Sequence, residues 1–292
     1  MRYEKLGYLT SYFKIFHLND IKTKKFNAHY HEFAKIILFL GGKVTYNIEG
    51  QSYQLFPYDI VFVPNNSIHY PIINKDLAYE RVIIYIDPKY LQDNKYQDDD
   101  LGYCFKYAKS NENYVMHLDN IENNSLIKIL QEVEYSSKDT SFGHILYTEL
   151  KFLEFMILLN RSIINKNQNL NLYHQVSYDK TIRSVINYIN TNLFTELNIE
   201  LLASQFFVSK YYLMRKFKAK TGYSIHQYIL NKRLIVAKEK IKSGTALTQI
   251  CFDCGFKDYS TFSRTFKQVF KQTPREFKKA INGEVSDEIS HK

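Results

Sequence analysis

Two stretches near the C-terminus decide the reading of this chain: "FVSKYYLMRKFKAKTG", residues 207–222, and "GFKDYSTFSRTFKQVF", residues 255–270. They share a skeleton, since Leu213-x-Arg215-x-Phe217-Lys218 returns as Phe262-x-Arg264-x-Phe266-Lys267. In a helix, residues four apart lie on one face, so Leu213 with Phe217 and Phe262 with Phe266 form inward apolar pairs. The arginines between them point outward, beside Tyr211 and Met214 in the first helix and Tyr259, Ser260, Thr261 and Ser263 in the second. Such a face suits base edges in a major groove, where arginine pairs bidentately with guanine and a ring or methyl touches thymine. Lys216, Lys218, Lys220, Lys267 and Lys271 are spaced for phosphates, which add affinity without sequence information.

Capping signals frame these helices. Ser209 and Asp258 precede them as N-caps, and Gly222 closes the first. Asn198 caps "IELLASQF", and Thr245 is expected to cap "ALTQICFDC", with a turn at Gly255. Each recognition helix is therefore the second member of a helix-turn-helix unit. Between the units Ser224 starts one long helix, "IHQYILNKRLIVAKEKIK", which stops at Ser243-Gly244. A rod of this kind can hold two similar helices for successive major grooves on one face of DNA, about 34 Å apart.

Charge follows the same division. Residues 1–177 hold 19 Lys and Arg against 20 Asp and Glu, whereas residues 178–280 hold 19 against 7. The whole excess behind the net charge of +9 thus lies in one block of about a hundred residues, the footprint of a module that faces a polyanion.

Upstream, Tyr12 to Asp87 reads as short strands rich in β-branched and aromatic residues, punctuated by Gly41-Gly42, Glu49-Gly50, Pro57 and Pro64-Asn65-Asn66. That spacing predicts an antiparallel barrel or sandwich. The period then lengthens to a helical one: Leu126, Ile129, Leu130 and Val133 share a face, and a second helix carries Leu146, Leu150, Leu153 and Ile157. This second stripe needs a cover, either from the same chain or from the same helix of another subunit. "NKNQNLNLYHQ" reads as a polar linker. The expected organisation is an α+β multidomain chain: a barrel over 1–120, helices over 121–165, a linker over 166–177, a helical domain over 178–281 and a polar tail over 282–292.

Several classes of function fall away. No run of about 18 apolar residues spans a bilayer and the N-terminus lacks the apolar stretch of a signal peptide, so a cytoplasmic protein without a membrane partner is expected. Three cysteines do not make a disulfide framework, and Cys251-x-x-Cys254 has no second pair to complete a zinc site, so both belong to core packing. No Ser-His-Asp order, phosphate-binding glycine loop or paired-carboxylate motif suggests an enzyme.

From Asp179 to Lys279 the chain resembles the DNA-binding domain of the AraC/XylS family of bacterial transcription regulators, through "LLASQFFVSKYYLMRKFKAKTGYSIHQYI", "RLIVAKEKI", "ICFDCGFKDYSTFSRTFKQVFKQTPREFK" and Thr273-Pro274. The resemblance implies double-stranded DNA as partner, base contacts from Tyr211, Met214, Arg215, Tyr259, Ser260, Thr261, Ser263 and Arg264, and phosphate contacts from Ser209, Lys210, Lys216, Lys218, Lys267 and Lys271. Phe207 departs from the family, which often has a turn residue such as glycine there, and a bulky side chain disfavours a positive φ. The N-terminal part resembles the family's cupin-type barrel: "HYHEFAKIILFLGG" supplies His29 and His31, and "PNNSIH" supplies His69. The glutamate expected after His31 is missing, with Lys35 and Ile36 in its region. His29, His31, Tyr46 and His69 are accordingly expected to line a pocket for a small-molecule effector, a sugar or another metabolite, with neither metal nor cofactor. The resemblance also implies homodimerisation through Leu146, Leu150, Leu153 and Ile157, contact with RNA polymerase, and activation more than repression. Two alternatives are a metal-dependent cupin enzyme with a DNA-binding appendage, and an effector-free regulator whose barrel contacts another protein.

Overall fold

The computed structural model describes residues 9, 11–20, 26–74, 76–118, 124–166 and 179–289, with the side chains of 166 and 282–289 outside that description. The chain divides into two compact units with the boundary between Tyr178 and Asp179. Apart from residue 166, which ends a helix, the expected linker lies outside the described residues.

Among the described residues of the first unit, eight strands form two antiparallel sheets. Strands β1 (Phe13–Asp20), β7 (Tyr79–Ile86), β2 (Ala34–Gly41), β5 (Asp59–Val63) and β8 (Val115–His117) lie side by side in that order, and β4 (Gln51–Gln54), β3 (Val44–Ile48) and β6 (His69–Ile73) form the second sheet. Because side chains alternate along a strand, register assigns the faces. Lys35, Ile37 and Phe39 of β2 lie opposite Tyr85, Ile83 and Arg81 of β7, so these six share the face turned toward the second sheet. The other face is covered by helices. Phe13 stacks on Phe152 at 4.0 Å between centroids, Phe62 meets Phe105 edge-on, and His17 reaches Glu134.

Those helices are α1 (Pro88–Asp93), α2 (Tyr103–Ser110), α3 (Ser125–Ser136) and α4 (His144–Lys166). The expected helical pair is present, and α3 buries Leu126, Ile129, Leu130 and Val133 as its period requires. Helix α4 has a second apolar face. Phe152, Phe155, Met156 and Leu159 are fully buried against the barrel, while Leu146, Leu150 and Ile157 stay 62%, 55% and 41% exposed. Leu153 packs at the edge of the core.

The second unit is helical: α5 (Lys180–Thr191), α6 (Ile199–Gln205), α7 (Lys210–Thr221), α8 (Ile225–Lys242), α9 (Leu247–Asp253), α10 (Tyr259–Phe270) and α11 (Pro274–Ile289). Side-chain oxygens of Asp179, Asn198, Ser209, Ser224 and Asp258 accept the first backbone N–H groups of their helices, and Ser224 forms a reciprocal capping box with Gln227. Thr245 is not a cap. Helix α9 begins after Ala246, which has no side-chain acceptor, and the Thr245 carbonyl instead accepts from the Lys278 Nζ at 2.9 Å.

The two helix-turn-helix turns solve one backbone problem with different residues. Gly255 takes φ +77, and Phe207, at the matching turn, takes φ +53 while its ring is 96% exposed. A left-handed backbone costs a residue with a Cβ about 1–2 kcal/mol, and an exposed ring recovers little of it by packing. Phe207→Gly should therefore stabilise the helical unit by about 1 kcal/mol. A denaturation midpoint that stays put or falls would show that the ring has a stabilising contact.

Candidate functional site

The recognition helices are built from their buried sides outward. Leu213 and Phe217 of α7 and Phe262 and Phe266 of α10 have no exposed surface. Phe217 meets Tyr228 of α8 edge-on at 5.4 Å, while Phe262 and Phe266 join a core with Leu234, Ala237 and Ile241 from the same rod. With these faces anchored, Arg215 and Arg264 are left in solvent.

Around Arg215, Tyr211 is 85% and Met214 46% exposed. Around Arg264, Ser260 is exposed, and Thr261 and Ser263 are half-buried. Tyr259 differs from the open ring expected of a base reader. It packs on the second core, with its ring 5.8 Å from that of Phe262 three residues on, because positions i and i+3 share a helix face.

The candidate phosphate contacts are similarly graded. Lys218 and Lys267 are exposed, and Lys210 is paired with Glu200 at 2.6 Å, which holds that carboxyl below its usual range. Lys216 lies over the Tyr212 ring, and the Lys271 Nζ donates to the Gln268 carbonyl. Ser209 spends one oxygen lone pair on the α7 cap, accepting from the Tyr212 N–H at 3.2 Å. Hydrogen bonds from Thr261, with the nearby charge of Arg264, keep the Asp258 carboxyl below its usual range.

Two features escaped the sequence reading. Beside α10 lies a groove of about 720 Å³ whose lining includes Ser263, Thr248, Arg275 and Lys279. Arg275 and Lys279 stand four apart on α11, a spacing that could have flagged them. Arg233 on α8 is the second feature. It donates from Nε to the Leu193 carbonyl at 2.8 Å, from one terminal nitrogen to Gly255 at 2.8 Å, and from the other to Thr195 at 2.6 Å. One guanidinium thereby ties the rod to the turn after α5 and to the turn of the second helix-turn-helix unit.

In the barrel, His29, His31 and His69 gather with a ligand atom of each within 4.8 Å of the others. All three are buried, as is Tyr46, which stacks parallel to His69. They form an inner cluster between the sheets. The His29 Nδ1 lies 2.7 Å from the Asn27 carbonyl and the His69 Nδ1 2.9 Å from the Ser67 carbonyl. A carbonyl only accepts, so both Nδ1 atoms carry the proton and both Nε2 atoms keep a lone pair. Burial, reinforced by Lys35, lowers His29 to about 4 and takes His69 well below its ordinary value. Neutral imidazoles fixed by backbone carbonyls are a fitting donor set for a divalent metal.

Lys35 complicates that fit. Its side chain is buried, its Nζ lies 3.2 Å from the His69 Nε2, and the rings of Phe33 and Tyr85 flank it at 5.9 and 5.2 Å. Burial, with the Arg81 charge, lowers its amine to about 7. Arg81, also buried, pairs with Asp20 at 2.6 Å.

The cysteines have no part in either cluster. Cys251 and Cys254 are fully buried, and desolvation pushes the Cys254 thiol up to about 11. Among the described residues, no helix is long and apolar enough to cross a membrane.

Residues 16–109 match a family described as AraC-like ligand binding domain, and residues 202–280 match a helix-turn-helix domain family. The chain is 22% identical over 264 residues to the HTH-type transcriptional activator RhaS of Escherichia coli, covering 88% of this chain and 89% of the relative. RhaS of Salmonella schwarzengrund is 23% identical over 260 residues, covering 87% and 88%. An apo ToxT variant from Vibrio cholerae matches 92% of this chain and 97% of its own at 16% identity, with a TM-score of 0.42. With an AraC-like barrel ahead of a double helix-turn-helix unit, and relatives aligned across both, the chain belongs to the AraC/XylS family of DNA-binding transcription regulators.

Proposed function

We propose that the protein is a cytoplasmic, homodimeric activator that reads a two-part DNA site through Arg215 and Arg264 and adjusts that reading through its barrel. The observation that carries this is the matched pair of helices: in both, a buried apolar pair fixes an exposed arginine in the same helical position. Activation, with RNA polymerase as partner, is supported by the RhaS relatives, which are named as activators. A small-molecule effector held near His29, His31, Tyr46 and His69 would act by favouring one arrangement of the dimer, since equal affinity for two states shifts nothing. The chemistry asked of this chain is recognition, and no reaction is assigned to it.

Binding of the full chain to duplex DNA at several salt concentrations tests the electrostatic half of this reading. Lys218→Ala should weaken all sequences alike and lower the salt slope by about one. A loss confined to one sequence would move Lys218 from phosphate contact to base reading.

The exposed stripe of α4 supports the dimer. Four apolar positions at steps of four and three form a stripe of coiled-coil spacing, in which Leu146, Leu150 and Ile157 have about half their surface in water and Leu153 borders the barrel core. Leu150→Asp would bury a charge in that stripe and should shift the protein toward monomer in sedimentation. An unchanged dimer would place the interface elsewhere.

A further inference from the structure

The barrel's histidine cluster holds an amine of its own, the Lys35 Nζ. With its Nδ1 proton committed to the Ser67 carbonyl, His69 has one in-plane lone pair left, on Nε2. A metal would need that lone pair at about 2.0–2.1 Å. The Lys35 Nζ lies 3.2 Å from the same atom, and an amine has a proton to donate there in either charge state. A nitrogen with one lone pair serves one such partner at a time.

The placement of Lys35 is enforced by the sheet. Its backbone is paired on both sides, with Val63 of β5 and Tyr85 of β7, so the side chain cannot leave the interior without breaking register. The flanking faces of Phe33 and Tyr85 stabilise a cation at this point. Among the described residues no carboxylate pairs with it, and the like charge of Arg81 acts against a proton on its amine.

From this geometry we infer that Lys35 is a tethered substitute for a metal ion: its amine occupies the His69 lone pair and keeps divalent metals off the His29, His31, His69 cluster. The family reading fixes neither this residue nor its role. The inference stands apart from the DNA contacts, so failure of one leaves the other intact.

The test is uptake of Co2+ by the full chain, read by elemental analysis after desalting and by the visible absorption of imidazole-bound cobalt. Wild-type protein is expected to retain none. Lys35→Met keeps the length and apolar bulk of the side chain but removes the donor, and it is expected to retain one Co2+ per chain. That uptake should vanish again in Lys35→Met with His69→Gln. Lys35→Leu, which also lacks a donor, serves as a second variant if the methionine chain misfolds by circular dichroism. One Co2+ retained by wild-type protein would overturn the inference, and so would a folded Lys35→Met or Lys35→Leu that takes up none.

Discussion

Replacing Arg233 with methionine is expected to lower the stability of the helical unit by about 3 kcal/mol, an effect comparable to the loss of a large core side chain. Its three hydrogen bonds all run from a charged donor to backbone carbonyls, the kind worth about 1.5–3 kcal/mol each when measured singly. They share one donor and are not additive, so the total falls well short of their sum. The methionine stem retains most of the packing of the arginine stem, which isolates the polar contribution. Arg233→Lys should recover only part of the loss, because an ammonium cannot span three carbonyls set around a planar fork. Helical circular dichroism during guanidinium unfolding measures this. The same variant should also weaken DNA binding, since the ties to the Thr195 and Gly255 carbonyls hold the two halves of the unit against one rod. A variant as stable as wild type would mean that solvent satisfies these carbonyls equally well.

The second large effect concerns DNA. Arg215→Ala and Arg264→Ala should each cost about 1–3 kcal/mol of specific binding. The two side chains sit on separate helices with separate cores, so the losses should add, taking the double variant down by about 2–6 kcal/mol. Both arginines are exposed, so the folded unit should keep its unfolding midpoint. Titration of a selected duplex with the four proteins reads the losses, and a double variant that binds like either single one would show that the two helices do not act on the same DNA.

Much of this was legible in the sequence because the signals were local. Four caps, at Asn198, Ser209, Ser224 and Asp258, were visible because a short polar side chain ahead of an apolar period has few other uses. The repeat marked Leu213, Phe217, Phe262 and Phe266 as inward because a spacing of four fixes a helix face. Phe207 was visible as a misfit, and its positive φ shows the turn kept its shape despite the side chain. What stayed hidden was non-local. The carbonyl partners of Arg233 lie 22, 38 and 40 residues away along the chain. The seat of Lys35 on His69 crosses 34 residues, so the sequence showed only that the expected glutamate was missing. Tyr259 looked like an open reader because a periodic pattern cannot tell a half-buried ring at the start of a helix from an exposed one. The three-residue β8 and the short α1 and α2 carry too few residues for a period to emerge.

The most direct measurement is selection from a randomised duplex library by the full-length protein and its two arginine variants. Wild type should recover two half-sites about one helical turn apart, Arg215→Ala should lose preference in one half alone, and Arg264→Ala in the other alone. Recovery of the intact wild-type motif by either variant, or loss of the same positions by both, would contradict the account.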